Sequence, residues 1–203
     1  MKITALKQQV KNPERVSFFV DGKYSFSLSL DQLLAQKLKN NDELSEADVA
    51  RLKKISADGK LRGRALEWLM NRPHSEREFR DYLYRKQAEP DQIDGLVEEF
   101  TQKGYLDNAK FTVWFSELQA RRNKSDRQIK AELFKKGISR EVVAETLEQA
   151  EENEDRRLKL LIEKKSKLSR YKNDPQKLAK YLTSQGFSWQ IVKAQLNFNK
   201  FED

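Results

Sequence analysis

The chain has 203 residues, 37% of them hydrophobic and 35% charged, with a formal net charge of +8. The apolar share lies below the roughly 45–50% of an ordinary globular domain, so several small cores in an elongated molecule are expected in place of one compact core, since more surface per residue demands more polar side chains. There is no cysteine and one histidine, His74, which excludes disulfides, thiol nucleophiles, thiolate metal sites and a histidine-based zinc cluster.

The first thirty residues read as β-structure. Val16, Phe18 and Val20 alternate with Ser17 and Phe19, and Tyr24, Phe26, Leu28 and Leu30 alternate with serines and Asp31. Asp21-Gly22 lies between the two runs, and Asp-Gly flanked by alternating apolar residues is a strong hairpin signal because both turn positions require positive φ. Ile3 to Val10 offers a third strand, and a hairpin alone is marginal, so a partner surface is expected.

The rest reads as helix. Leu33, Leu34 and Leu38 share a face of a short helix. Ser45 opens Ser-Glu-Ala-Asp, a capping-box pattern followed by Val49, Leu52 and Ile55 at helical spacing. A further stretch, 60–70, carries Leu61, Leu66, Trp68, Leu69 and Met70.

A repeat of about fifty residues then dominates. Phe79 with Leu83, Ile129 with Leu133, and Leu178 with Leu182 are apolar pairs spaced by four and separated by steps of 50 and 49 residues. Lys86, Lys136 and Gln185 follow in the same register, as do Ile93, Val143 and Val192, and Val97, Leu147 and Leu196. Register held across three copies marks a repeat architecture. Each copy reads as three helices. Ser75 and Ser125 are expected caps of the second helix, with Glu78 completing a Ser-Glu-Arg-Glu box. Gly137, Gly186 and Gly104 suit left-handed helix ends, and Asp107 offers the next N-cap. The expected fold is therefore mainly α, with three tandem three-helix repeats in an elongated array (59–105, 106–152 and 153–203) behind an N-terminal β-hairpin and helical extension (1–58).

Positive charge grows along the chain: net +3 over 1–60, −1 over 61–105, +2 over 106–150 and +4 over 151–203. A basic surface speeds encounters with polyanions. Arg121, Arg122, Lys124 and Arg127 cluster before the second helix of copy two, and Arg156, Arg157, Lys164, Lys165 and Lys167 cluster in copy three. Such loops form either a basic rail or solvated helix faces with i,i+4 pairs such as Glu163 with Lys167. Aromatics interleave with cations at Tyr82, Tyr84, Arg85 and Lys86, at Phe134, Lys135 and Lys136, and at Tyr171 and Lys172. These suit base stacking with phosphate contacts, or half-burial beside the core stripe. His74 in Arg-Pro-His-Ser has no accompanying nucleophile and is read as shaping a loop. With no glycine-rich phosphate loop either, no catalytic activity and no cofactor or metal are expected. No apolar run suits a signal peptide or a membrane span, so a cytoplasmic protein acting as a monomer is expected.

Four segments together carry a resemblance. Arg72-Pro-His-Ser-Glu-Arg-Glu-Phe-Arg-Asp-Tyr-Leu83 includes Arg72, His74 and Arg77. Lys103-Gly-Tyr-Leu-Asp-Asn-Ala-Lys-Phe111 holds Gly104, Tyr105 and Asp107. Ile129-Lys-Ala-Glu-Leu133 is followed by Lys136-Gly137-Ile138. Lys177-Leu178, Tyr181-Leu182 and Gly186-Phe187 complete the series. Over about residues 60–197 these resemble the RecX family, and the hairpin resembles an N-terminal extension carried by a subset of it. Asn123 departs from a common family glycine and Asn108 from a common aspartate. The resemblance implies a three-unit helical array that lies along RecA nucleoprotein filaments, restrains strand exchange and ATP hydrolysis in DNA repair, recombination and the SOS response, and meets the filament or DNA through the cations named above. A stand-alone DNA-binding protein of helix-turn-helix type is the alternative.

Overall fold

The computed structural model describes residues 1–147 and 151–196, with the side chains of 151–153 left aside. Three strands, β1 (Ile3–Gln8), β2 (Arg15–Val20) and β3 (Lys23–Ser29), form an antiparallel sheet in the order β1-β2-β3. Helices follow: α1 (Leu30–Gln36), α2 (Glu46–Met70), α3 (Glu76–Arg85), α4 (Pro90–Gln102), α5 (Asn108–Arg121), α6 (Asp126–Lys135), α7 (Arg140–Leu147), α8 (Glu151–Ser166), α9 (Ser169–Lys172), α10 (Pro175–Ser184) and α11 (Trp189–Gln195). The chain divides into two compact units, Met1–Asn71 with Leu83–Glu98, and Arg72–Tyr82 with Glu99–Asp203.

In the first unit the turn is the expected one, with Asp21 at φ 48° and Gly22 at φ 79°. Val16, Phe18, Val20, Phe26 and Leu28 face a core closed by Ile3, Leu44, Val49 and Leu52. The rings of Phe18 and Phe26 stack at 4.9 Å. β1 is the third strand, and the chain at Asn41–Asp42 covers its start through Ile3 N–H to Asp42 O and Asn41 N–H to Ile3 O. The partner surface that the hairpin needs is α2. Its buried Ser56 hydroxyl donates to Ser27 O at 2.6 Å and accepts from Ser27 N–H at 3.2 Å.

Three expectations are corrected. Leu34 and Met70 are exposed while Leu33 and Leu69 pack inward. Leu30 does not continue β3 but opens α1, because Ser29 and Gln32 form a capping box there. The segments 45–55 and 60–70, read separately from sequence, are one 25-residue helix. Gly59 does not break it: the Gln32 side chain lies where a Cβ would stand, and its Nε2 donates to Ile55 O at 3.0 Å. The glycine thus serves a close approach, not a helix end.

In the second unit, α5, α6 and α7 share a core of Phe111, Phe115, Ile129, Leu133, Ile138, Val143 and Leu147. Another core, from α8 to α11, holds Leu158, Leu161, Tyr171, Leu178, Leu182, Phe187 and Val192. Phe79 packs on Phe100, with centroids 5.7 Å apart. Asp107 caps α5 by accepting from the amides of Ala109 and Lys110, and Ser125 caps α6. Gly104, Gly137 and Gly186 have φ of 70°, 80° and 91°. The position matching Gly137 and Gly186 in the first copy is Gln87, which takes φ 59° with its own side chain.

These glycines differ in what surrounds them. A Cβ at Gly104 would meet open space, whereas one at Gly186 would run into the Ser125 hydroxyl. Gly104→Ala is expected to cost about 1 kcal/mol through backbone strain alone, and Gly186→Ala on the order of 2 kcal/mol or more. Thermal or urea unfolding followed by circular dichroism checks this order, and equal losses would contradict it.

Candidate functional site

A helix leaves its first four amides and last four carbonyls without internal partners, and these ends organise the second unit. At the start of α3 the buried Ser75 hydroxyl accepts the Glu78 amide at 3.1 Å. The Glu78 carboxylate does not return to close the expected capping box. One oxygen accepts from Arg72 Nη1 at 3.0 Å and lies 3.3 Å from His74 Nδ1, and the other accepts from Lys136 Nζ at 2.6 Å. Burial by itself pushes this carboxyl up. The hydrogen bonds with His74, Lys136 and Arg72 outweigh it and hold the group well below the usual carboxylate range. The Arg72 guanidinium also lies 4.9 Å over the Trp114 ring.

Lys136 is the C-cap of α6. Behind it, Gly137 sits on the Arg77 stem so closely that a Cβ there would stand 3.1 Å from Arg77 Cβ. The end of α6 is thus seated on the first turn of α3. The start of α6 receives the end of α10 in the same way: Ser125 N–H donates to Gln185 O at 3.1 Å. The Gln128 amide, turned so that its nitrogen faces that carbonyl, donates to it at 2.7 Å and accepts from Lys124 Nζ at 3.2 Å.

Other first-turn amides find partners on further helices. Asn108 Oδ1 accepts from Glu76 N–H at 3.0 Å, and Glu154 Oε1 accepts from Asp126 N–H at 2.9 Å. Burial raises the Glu154 carboxyl, against the lowering effect of that same hydrogen bond. Asp126 pairs with Arg157 Nη2 at 2.5 Å, both side chains being largely buried. None of these partnerships was visible in the sequence. Glu78 read as a local cap, and Asn108 as a departure from a family pattern.

The cations expected to form a rail therefore divide. Arg72, His74 and Lys136 converge on Glu78 as internal anchors. Arg121 pairs loosely with Glu117 at 3.7 Å and Lys167 with Glu163 at 2.8 Å, all on exposed helix faces. Lys165 Nζ lies 5.1 Å over the Tyr181 ring. Arg77, Arg122, Arg127, Lys135 and Lys164 are exposed and make no ion pair among the described residues, and neither does Arg85 in the first unit, where Lys86 is exposed beside it. Arg121, Arg122 and Lys124 crowd the α5–α6 turn, where Asn123 takes φ 60° in the place of a family glycine. Arg127 stands on the first turn of α6 beyond it, whereas Lys164, Lys165 and Lys167 form a separate group at the end of α8. At the junction, Tyr105 packs its ring edge on Phe100. Of the aromatics considered for stacking, Tyr82 and Tyr171 are buried and Tyr84 and Phe134 exposed.

Among the described residues no group of side chains could hold a metal ion, and no helix is long and apolar enough to cross a membrane. A small sheet leading into short, mutually capped helices with exposed cations defines the class as a mainly helical protein. Residues 1–45 match the family described as regulatory protein RecX N-terminal domain. Regulatory protein RecX of Listeria welshimeri is 31% identical over 199 residues, covering 96% of this chain and 74% of the relative. That of Bacillus velezensis is 31% identical over 208 residues, covering 99% and 78%. The chain belongs to the RecX family of regulatory proteins. A crystal structure of regulatory protein RecX shares the fold at a TM-score of 0.73 and 23% identity, covering 97% of this chain and 98% of that one. RecX from Lactobacillus salivarius superposes with a TM-score of 0.57 and 19% identity, over 71% of this chain.

Glu78→Gln is expected to destabilise the fold by on the order of 1 kcal/mol at neutral pH, because it leaves the half-exposed Arg72 and Lys136 and the buried His74 ring short of a charged acceptor. The folded carboxyl titrates below its unfolded value of about 4.3. Its contribution is therefore full above that value and is lost as pH falls below about 4. Urea unfolding of both proteins should show a gap at pH 7 that narrows steadily as pH falls below about 4; a gap independent of pH would contradict the assignment.

Proposed function

We propose that this protein acts without catalysis, by binding RecA nucleoprotein filaments and restraining strand exchange and the associated ATP hydrolysis in DNA repair and recombination. The observation that carries this reading is family membership across nearly the whole chain. We read residues 59–105, 106–152 and 153–203 as three tandem helical units behind the sheet-bearing extension. The matching burial of Phe79, Ile129 and Leu178 supports this, as does the seating of the α6 and α10 ends on the helix fifty residues before each. Linked units that each make a weak contact gain effective concentration once one is bound, which suits a partner that is itself a polymer. The protein is read as cytoplasmic and monomeric, with the surface cations as the partner-facing groups and Arg72, His74 and Lys136 supporting them from beneath.

Mixing the protein with RecA, single-stranded DNA and ATP, and following filament mass and hydrolysis, tests the reading. A fall in both is expected, and no effect at stoichiometric excess would refute it. Reversing Arg121, Arg122 and Lys124 together to glutamate is expected to weaken filament binding at least tenfold while leaving helical content unchanged, since Arg121 and Arg122 are exposed and Lys124 half-buried where α5 gives way to α6. Unchanged affinity would remove that turn from the interface.

A further inference from the structure

We propose that the seat of the α6 end on the α3 start is a salt-releasable clasp, whereas the matching seat of the α10 end on the α6 start is a fixed joint. The two seats hold one register of the repeat, with Lys136 and Gln185 as the incoming C-caps and Glu78 and Gln128 as the receiving residues. They are closed by different chemistry. At the first, Lys136 Nζ donates to Glu78 at 2.6 Å, and Arg72 holds the other oxygen of that carboxylate at 3.0 Å. At the second the bonds are neutral. Ser125 N–H donates to Gln185 O at 3.1 Å, and the Gln128 amide donates to the same carbonyl at 2.7 Å.

Exposure decides how each seat responds to salt. Mobile ions screen charges that water reaches and act much less on buried ones. The Lys136 and Arg72 side chains are 39% and 36% exposed, so counterions approach both, while Glu78, at 14%, stays inside. Screening leaves Glu78 desolvated with weakened partners, and opening the seat returns it to water. The ion pair beside the second seat, Asp126 with Arg157, ties α6 to α8 and not to α10, and its side chains are only 12% and 17% exposed. Lys124 lies 3.2 Å from the Gln128 amide oxygen, a charge set against a neutral acceptor.

The packing differs in the same sense. Gly186 lies against the buried Ser125 and the Cβ of Gln128, whereas Gly137 rests on the aliphatic stem of Arg77, an exposed side chain. A flexible stem at the surface yields more easily than a buried cap, so ions carry a larger share of the first seat than of the second. The α3 start keeps its other bonds when the clasp opens. Ser75 still caps the Glu78 amide, and Asn108 still accepts from the Glu76 amide. Asn108 opens α5, which shares one core with α6 and α7. That contact is therefore the pivot about which the α3 start moves against the α6 end.

The chain has no cysteine, so pairs of spin labels can be attached through introduced ones. Asp81, Ala131 and Lys180 hold one register of the repeat and are all exposed. Double electron–electron resonance on Asp81→Cys with Ala131→Cys reads the first seat, and on Ala131→Cys with Lys180→Cys the second. From about 0.1 M to about 1 M NaCl the screening length falls from about 10 Å to about 3 Å. The population of longer 81–131 distances should then rise about fivefold, while the 131–180 distances keep their width and circular dichroism keeps its helical signal. Glu78→Gln should lengthen the 81–131 distances already at low salt and remove their salt dependence. Gln128→Ala should loosen the 131–180 pair alone. An 81–131 distribution unchanged by salt, equal broadening of the two pairs, loss of helical signal at high salt, or a salt dependence that survives Glu78→Gln would each overturn the proposal.

Discussion

The second unit depends on how helix ends are satisfied. α3, α6 and α10 have ten residues each, so the groups left over at their ends are about as numerous as the bonds within them. Isolated helices of this length are marginal in water. Here the unmet groups answer one another: the last turn of α6 is set on the first turn of α3, and the last turn of α10 on the first turn of α6. A carbonyl-rich end meets an amide-rich start, which is also the favourable order for the helix dipoles. The glycines follow from this constraint. A left-handed residue turns the chain away from each helix end; a Cβ at 186 would collide with the Ser125 hydroxyl of its seat, and one at 137 would crowd the Arg77 stem.

The same constraint explains why so few charges are buried and why those few lie at helix starts. Glu78 receives Arg72 and Lys136 with the His74 ring beside them, and Asp126 receives Arg157. Removing one member of such a set leaves the others desolvated and short of a partner, which costs more than the pair contributes over a well-packed apolar substitute. The aliphatic cores beneath are small. Directional polar contacts at the ends therefore set which helix follows which, while the apolar stripes supply most of the burial.

Much of this was legible and some was not, for reasons of range. The Asp21-Gly22 turn, the caps at Ser45, Asp107 and Ser125 and the left-handed glycines are local patterns spanning two to four residues, and the structure carries each of them. Glu78 obeyed the local capping pattern as well, but its carboxylate is taken by Lys136, 58 residues away. Lys86, Lys136 and Gln185 already stood in register, which marked the position without naming its partner. The continuity of α2 from 45–55 into 60–70 was not legible, for the opposite reason. Glycine weakens a helix by propensity, and only the Gln32 side chain lying across it shows why α2 continues.

Net charge hides a division of labour that bears on function. A basic chain suggests an anionic partner, but a cation that completes an internal ion pair is no longer available to that partner. Arg72, Lys136 and Arg157 are occupied in this way, and Lys165 lies over an aromatic ring. Of the cations that remain exposed, Arg121, Arg122 and Arg127 stand at and just beyond the α5–α6 turn, and Lys164 and Lys167 at the end of α8. The fold thus takes one set of cations to join its helices and leaves others, Arg127 and Lys135 on α6 among them, exposed. Charge on the joined set bears on stability, so substitutions in α6 differ in cost according to which face they alter.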